Sequence, residues 1–285
     1  MNDKLRELFS GRRLVIATKH HKEKVIQPLL ESALHVQCFV PEDLDTDILG
    51  TFSGEVERVD DPLTTAKKKC QWAMDKYHCD LAISSEGSFG PHPHLFFGLA
   101  DDELVVVLDR KNDFEFVARE LSVSTNFNGS LISSEKELRE FAESVLFPSH
   151  GLIIRSSKEL NKDLIKGICD WKNLVSHFSN YKNKFGSAFL ETDMRAMHNP
   201  TRMKVIEKAV VKLLQVIKSV CPSCNMPGFW IKDAKPGLPC SLCGLPTKSI
   251  LSYTYCCKKC GYQKEEMFPL KKTTEEPTFC DYCNP

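Results

Sequence analysis

The chain has 285 residues, enough for one sizeable domain and a small one. Its 38 basic and 38 acidic residues cancel, which argues against a dedicated nucleic-acid or membrane-surface binder. No stretch is long and apolar enough to cross a bilayer, and the opening MNDKLRELFS has no apolar run of the secretory kind, so a cytoplasmic protein is expected.

The first expected element is a strand at Leu14–Ala17, followed by the polar turn Thr18-Lys19-His20-His21-Lys22 and a helix from about Glu23 to Ala33. Val36–Val40 is strand-like and Pro41 ends it. Residues 63–78 read as a helix introduced by Asp60, Asp61 and Pro62, where carboxylates favour the helix dipole and proline fits the first turn. A strand at Leu81–Ile83 opens into Ser84-Ser85-Glu86-Gly87-Ser88, and Leu104–Leu108 with Phe114–Ala118 forms a hairpin. A helix near 135–145, a strand at Leu152–Ile154 and two longer helices near 157–179 and 201–219 complete a mixed-sheet α/β domain over residues 1–219.

Residues 220–285 differ in kind. Four Cys-x-x-Cys pairs, Cys221/Cys224, Cys240/Cys243, Cys257/Cys260 and Cys280/Cys283, supply ligands for two tetrahedral structural zinc ions. Pro, Gly or Asn around each pair suits the tight bend of a zinc knuckle. Cys256 adjoins Cys257, which is preferred because it completes the spacing to Cys260. The order of the pairs fits both sequential ribbons and an interleaved module. Cys38, Cys70, Cys79 and Cys169 share no spacing and read as small buried hydrophobes.

Charge is unevenly distributed over these parts. Residues 161–220 hold 11 Lys and Arg against 5 Asp and Glu, residues 221–285 hold 8 against 6, and residues 1–160 are left with 19 against 27. Two Cys₄ zinc sites, each adding −2, would make the last region net negative, which opposes nucleic-acid binding there. An acidic first half suits divalent metal, although a solvated surface has the same composition.

Three polar clusters carry candidate chemistry. Thr18, Lys19, His20, Lys22 and Lys24 bring hydroxyl, imidazole and ammonium groups to a helix start, a place suited to phosphate. Asp60 and Asp61 serve either as metal ligands or as a helix cap. Glu86 follows a buried strand, beside glycines that admit a ligand close to the backbone. The loop Pro91-His92-Pro93-His94 is either a histidine metal site or a rigid turn.

Taken in order, TKHHKEK, DDPLTTAKKKC and DLAISSEGSFG resemble the inosine/xanthosine triphosphate pyrophosphatases, with their T-x-N-x-x-K loop, acidic helix start and strand ending in E-G-G. Thr18, Asp60, Asp61, Ala66, Glu86 and Gly87 match that pattern, and Thr201-Arg202 is similar to its closing T-R. His20 stands where that family has asparagine, Glu23 where it has lysine and Ser88 where it has the second glycine; Lys22 or Lys24 restores the charge in a shifted register. The whole chain, through ETDMRAMHNPTRM and CPSC to its CNP ending, also looks like an uncharacterised bacterial family that joins such a domain to a double zinc ribbon.

The resemblance implies a metal-dependent hydrolase that releases pyrophosphate from a nucleotide substrate. Asp60, Asp61 and Glu86 would hold Mg²⁺ or Mn²⁺ and orient water, and Lys19, Lys22 or Lys24, with Arg195 and Arg202, would meet the phosphates. The alternative is a non-catalytic nucleotide- or nucleic-acid-binding protein, whose zinc module presents Phe229, Trp230, Tyr253, Tyr255 and Tyr262 to RNA, DNA or a protein partner. A third use of that module is a homodimer contact.

Overall fold

The computed structural model describes residues 3–44, 60–95, 97–158 and 163–285. The chain divides into two compact units, one of residues 8–214 and one that joins residues 3–7 to residues 215–285. No helix among the described residues is long and apolar enough to cross a membrane. A short helix that the sequence pattern did not reveal, α1 (Asp3–Phe9), comes first.

The larger unit holds two sheets. The first has the order β2-β1-β3-β4-β5, built from β1 (Arg13–Ala17), β2 (Gln37–Phe39), β3 (Leu81–Pro91), β4 (Leu99–Asp109) and β5 (Phe114–Ser122). The strands β2, β1 and β3 run parallel, while β3, β4 and β5 are antiparallel, so the sheet is mixed. The crossovers are α2 (Glu23–Leu34) and α3 (Pro62–Lys76). Cys70, Ala73 and Met74 of α3 pack on Val15, Ala17 and Ala82, and the alternate residues Leu14, Ile16 and Ile83 are fully buried too. Burial of both faces explains why β1 reads as an unbroken apolar run.

The second sheet is antiparallel, in the order β6-β9-β7-β8, from β6 (Gly129–Ile132), β7 (Leu152–Arg155), β8 (Ile165–Ile168) and β9 (Ala188–Thr192). Leu138, Phe141 and Ala142 of α4 (Glu135–Ser144) and Leu174, Phe178 and Tyr181 of α5 (Trp171–Phe185) form one core with Leu152, Ile154 and Leu190. α6 (Pro200–Lys218) follows β9 through a turn of 3₁₀ helix at Ala196–His198.

Two elements differ from the sequence expectation. The helix expected near 157–179 begins only at Trp171, because Asp170 caps it through Asn173 N (2.9 Å) and residues 165–168 pair with β7 instead; residues 159–162 of that expected helix lie outside the described residues. The loop expected after Ile83 is strand: Ser84 to Pro91 continue β3 opposite β4, so Glu86 sits in mid-strand. Glycine has low strand propensity, and continuous pairing along β4 overrides it. His92 forms a turn, its Nδ1 accepting from His94 N and Leu95 N (both 3.1 Å).

One end of the first sheet is tied by Arg12, whose guanidinium grips both oxygens of buried Asp109 (2.7 Å each) and reaches Asp80 (2.8 Å). Asp109→Ala should cost about 3–5 kcal/mol because it strands a part-buried cation. Asp80→Ala, whose side chain is half exposed, should cost less than about 1 kcal/mol. Urea titration of the two variants checks the contrast.

Candidate functional site

Where β1 ends, the chain makes an unusual turn. His20 and His21 both have left-handed backbone, with φ of 66° and 60°. Two consecutive non-glycine residues there cost on the order of 1–3 kcal/mol each, a strain that persists only where surrounding structure enforces it. The turn sends Lys22, the residue before α2, into the interior, where Nζ donates to Ser85 Oγ (3.0 Å) and Ser85 O (3.3 Å). Burial, reinforced by the nearby Arg202 charge, lowers the Lys22 pKa to about 8 against the pull of Glu103 and Glu86.

Alternate residues of β3 serve different partners. Ser84 Oγ donates to Ala66 O of α3 (2.7 Å), and Glu86 forms a buried ion pair with Lys69 of the same helix. Ser85 and Gly87 take the other parity. A Cβ on Gly87 would lie 2.6 Å from Arg202 Nη2 and closer still to Glu103 Oε1, so only glycine fits. Arg202 is fully buried: Nε donates to Glu103 Oε1 (2.6 Å), Nη1 donates to Met194 O, and Cζ stands 5.1 Å from the centre of the Phe89 ring. Asn199 Oδ1 accepts from Arg202 N (2.9 Å) and so fixes the start of α6. Asp101, two residues before Glu103 on β4, completes a set of three acids and three cations: Glu86, Asp101 and Glu103 with Lys22, Lys69 and Arg202.

At the rim, Arg195 forks onto the buried Asp193 (Nε–Oδ1 3.0 Å, Nη2–Oδ2 2.6 Å), which also accepts from Gly167 N (3.0 Å). His198 contacts Cys169 (Nδ1–Sγ 3.5 Å). Its pKa is lowered by burial, with the positive charges of Arg195, His20 and His21 adding to the effect and Asp193 opposing it. The turn after β1 and the segment before α6 therefore act on the same space.

The structure brings Lys22, Glu86 and Arg202 into one network, with Thr18 buried just after β1 and Lys19 and His20 half-buried on the turn. Lys24 is exposed. Asp61 caps α3, accepting from Leu63 N (2.9 Å), Thr64 N (3.1 Å) and Thr64 Oγ1 (2.5 Å), and these bonds hold its pKa below the usual value. Asp60 pairs with Lys68 (2.5 Å). Among the described residues, the only groups of three or more potential ligands within 4.8 Å of one another are cysteines, so Asp60, Asp61 and Glu86 are not gathered into one metal set. Lys69, Asp101 and Glu103 were missed from sequence. The readable signal was the parity of β4, in which 101, 103, 105, 107 and 109 share one buried face.

In the smaller unit the cysteines assemble as Cys221, Cys224, Cys257 and Cys260, and as Cys240, Cys243, Cys280 and Cys283. The pairing is interleaved, first pair with third and second with fourth. Four thiolates about 2.3 Å from a zinc ion have S···S edges of about 3.8 Å; the sulfur contacts across the pairs are 3.7, 3.6, 3.9 and 3.7 Å. Both sets thus fit structural zinc. Each knuckle repeats one turn, with Asn225, Gly244, Gly261 and Asn284 N donating to the first cysteine's carbonyl at 2.8–2.9 Å. Asn225, Gly244 and Gly261 have the left-handed backbone that Asn and Gly tolerate best. Between the knuckles runs a sheet of β10 (Trp230–Pro236), β11 (Ile250–Cys256) and β12 (Gln263–Met267). Phe229 packs with Tyr255 (centroids 5.7 Å) in a small core beside the first set, and the exposed Tyr262 ring covers its edge (5.8 Å from Phe229).

The family described as a domain of unknown function, DUF6671, matches residues 69–285, which hold both cysteine sets. The chain belongs to that family. No curated protein and no solved structure matches it.

Interleaving makes a sharp prediction about metal content. The chain should carry two zinc ions; C221S/C257S should keep one, whereas C221S/C240S should lose both. Sequential pairing would place Cys221 and Cys240 in one site and leave one ion in the latter variant, and elemental analysis of purified protein distinguishes the two.

Proposed function

We propose that the charged site at the carboxyl end of β1, beside the middle of β3, binds the phosphates of a nucleotide and hydrolyses a phosphoanhydride bond. The observation that carries this reading is the strained His20-His21 turn, which holds Lys22 buried beside Ser85 at the start of α2, in one electrostatic network with Glu86 and Arg202. Parallel strands that end beside a helix start are where α/β folds hold anionic ligands. The likeness in motif order to the nucleoside triphosphate pyrophosphatases supplies the substrate class.

The groups present suit one reaction. Glu86 accepts a proton from water as the water oxygen bonds to the α-phosphorus and the α–β anhydride bond breaks, giving nucleoside monophosphate and pyrophosphate. Lys22 and Arg202 are buried and act on the charge that grows on the phosphate oxygens through the field of a low-dielectric interior. The rim cation Arg195 and the histidines of the turn suit the outer phosphates. The carboxylates Asp60 and Asp61 do not fit the role of Mg²⁺ or Mn²⁺ ligands with Glu86, because Asp61 is spent on the α3 cap and Asp60 on Lys68.

The experiment is pyrophosphate and phosphate release from a panel of nucleoside triphosphates, with and without Mg²⁺ or Mn²⁺, by folded, zinc-loaded protein. Glu86→Gln should lower kcat about 10²–10⁴-fold, the usual contribution of general base catalysis, with little change in KM. Lys22→Ala should lower kcat/KM about 10²-fold or more. Nucleotide binding without turnover would favour the non-catalytic alternative, and full activity in Glu86→Gln would remove Glu86 from the chemistry.

A further inference from the structure

Asp101 and Glu103 occupy successive inward positions of β4, and both are completely buried. Glu103 Oε1 accepts from Arg202 Nε (2.6 Å). Glu103 Oε2 and both oxygens of Asp101 have no hydrogen-bond donor among the described residues. Three buried carboxylate oxygens without donors are not tolerable if both acids are ionised, since an unpaired buried charge is neutralised rather than kept. The charged groups that act on Asp101 are Glu103 on its own strand, Arg202 of α6 and Lys22 at the start of α2. Both cations are engaged elsewhere: Lys22 with Ser85, and Arg202 with Glu103 and Met194. Asp101 is within hydrogen-bonding reach of Glu103.

We propose that Asp101 is a neutral carboxylic acid in the native protein and donates its proton to Glu103, so that Asp101, Glu103 and Arg202 form a chain holding one proton. The donated bond uses Glu103 Oε2 and leaves Oε1 for Arg202, which settles the rotamer of Glu103 and with it the direction of the guanidinium. Asp101 is thus a positioning residue for Arg202. Burial and the adjacent Glu103 raise the Asp101 pKa to about 8, against Arg202 and Lys22, which agrees with the geometry. Proton loss would leave two like charges side by side with a single close cation, so the arrangement is pH-sensitive.

The sign of the effect is fixed by linkage. The native state holds the proton between the unfolded pKa of about 4 and the folded value of about 8, so this group's stabilisation declines as pH rises through that window. One proton bound only by the native state changes the folding constant by up to about tenfold per pH unit. Asp101→Asn keeps the shape, donates permanently and cannot titrate. In urea titrations of the full chain between pH 5 and 8, wild type should lose stability relative to Asp101→Asn by up to about tenfold in folding constant per unit. Parallel curves for the two proteins would overturn the proposal. Should Asp101→Asn fail to fold, wild type labelled with ¹³C at aspartate carboxyls answers alone: one aspartate still protonated at pH 7 supports the chain, and complete ionisation by pH 6 defeats it. Neither readout requires activity, so the inference stands or falls apart from the proposed hydrolysis.

Discussion

One strand face governs the larger unit. On β4 the inward positions read Asp101, Glu103, Val105, Val107, Asp109, all at most 1% exposed. The two valines belong to an apolar interior, but an acid buried at either end of them has to be matched by a cation or neutralised. Asp109 is met by Arg12, 97 residues earlier in the chain, and Glu103 by Arg202, 99 residues later. Charge matching of this kind is a poor source of net stability compared with a packed apolar core, but it is unforgiving of misplacement. It therefore selects among packings: a shift of one residue in β4 would turn all three acids outward and leave Arg12 and Arg202 without partners.

The smaller unit obeys a different constraint. β12 is exposed along its whole length, and most of β10 is exposed too, so burial does little to hold the sheet together. The zinc sites supply what a core would. Because the pairs interleave, each site joins two knuckles that are not neighbours in sequence and closes a loop containing one knuckle of the other. The first set adds the packed rings of Phe229, Tyr255 and Tyr262, whereas Leu242, Phe279 and Tyr282 near the second set stay exposed. The first site therefore has apolar support that the second lacks.

What could be read from sequence follows from where the information lies. The cysteine spacing is a local signal and was legible in full, but the partner of each knuckle depends on contacts across more than 30 residues, which spacing does not encode. The strand β1 and the capped start of α3 were legible because apolar runs and Asp-Pro junctions act locally. Asp60 and Asp61 looked like a site and are occupied as helix-start groups, since such groups and metal ligands share residue types. Glu86 was found at the right strand but in the wrong setting: SSEGSFG reads as a loop until β4 pairs with it. Acids in a strand such as ADDEL are ordinary on an exposed face, and only the alternation continuing into Val105 and Val107 betrays that two of them face inward.

The extent of the family match bears on how these pieces depend on one another. It begins at Lys69, in the middle of α3, which is no structural boundary. Within the matched residues lie all three buried acids of the candidate site but only two of its cations, Lys69 and Arg202. The third, Lys22, comes from the preceding segment, as do β1, the parallel partner of β3, and Arg12, the partner of Asp109. A fragment starting at Lys69 would expose the edge of β3 and leave Asp109 buried with no cation. The sheet that carries the site thus needs the residues before the match as much as those within it, and the physical unit is the charge-balanced sheet of residues 8–214, not the matched segment.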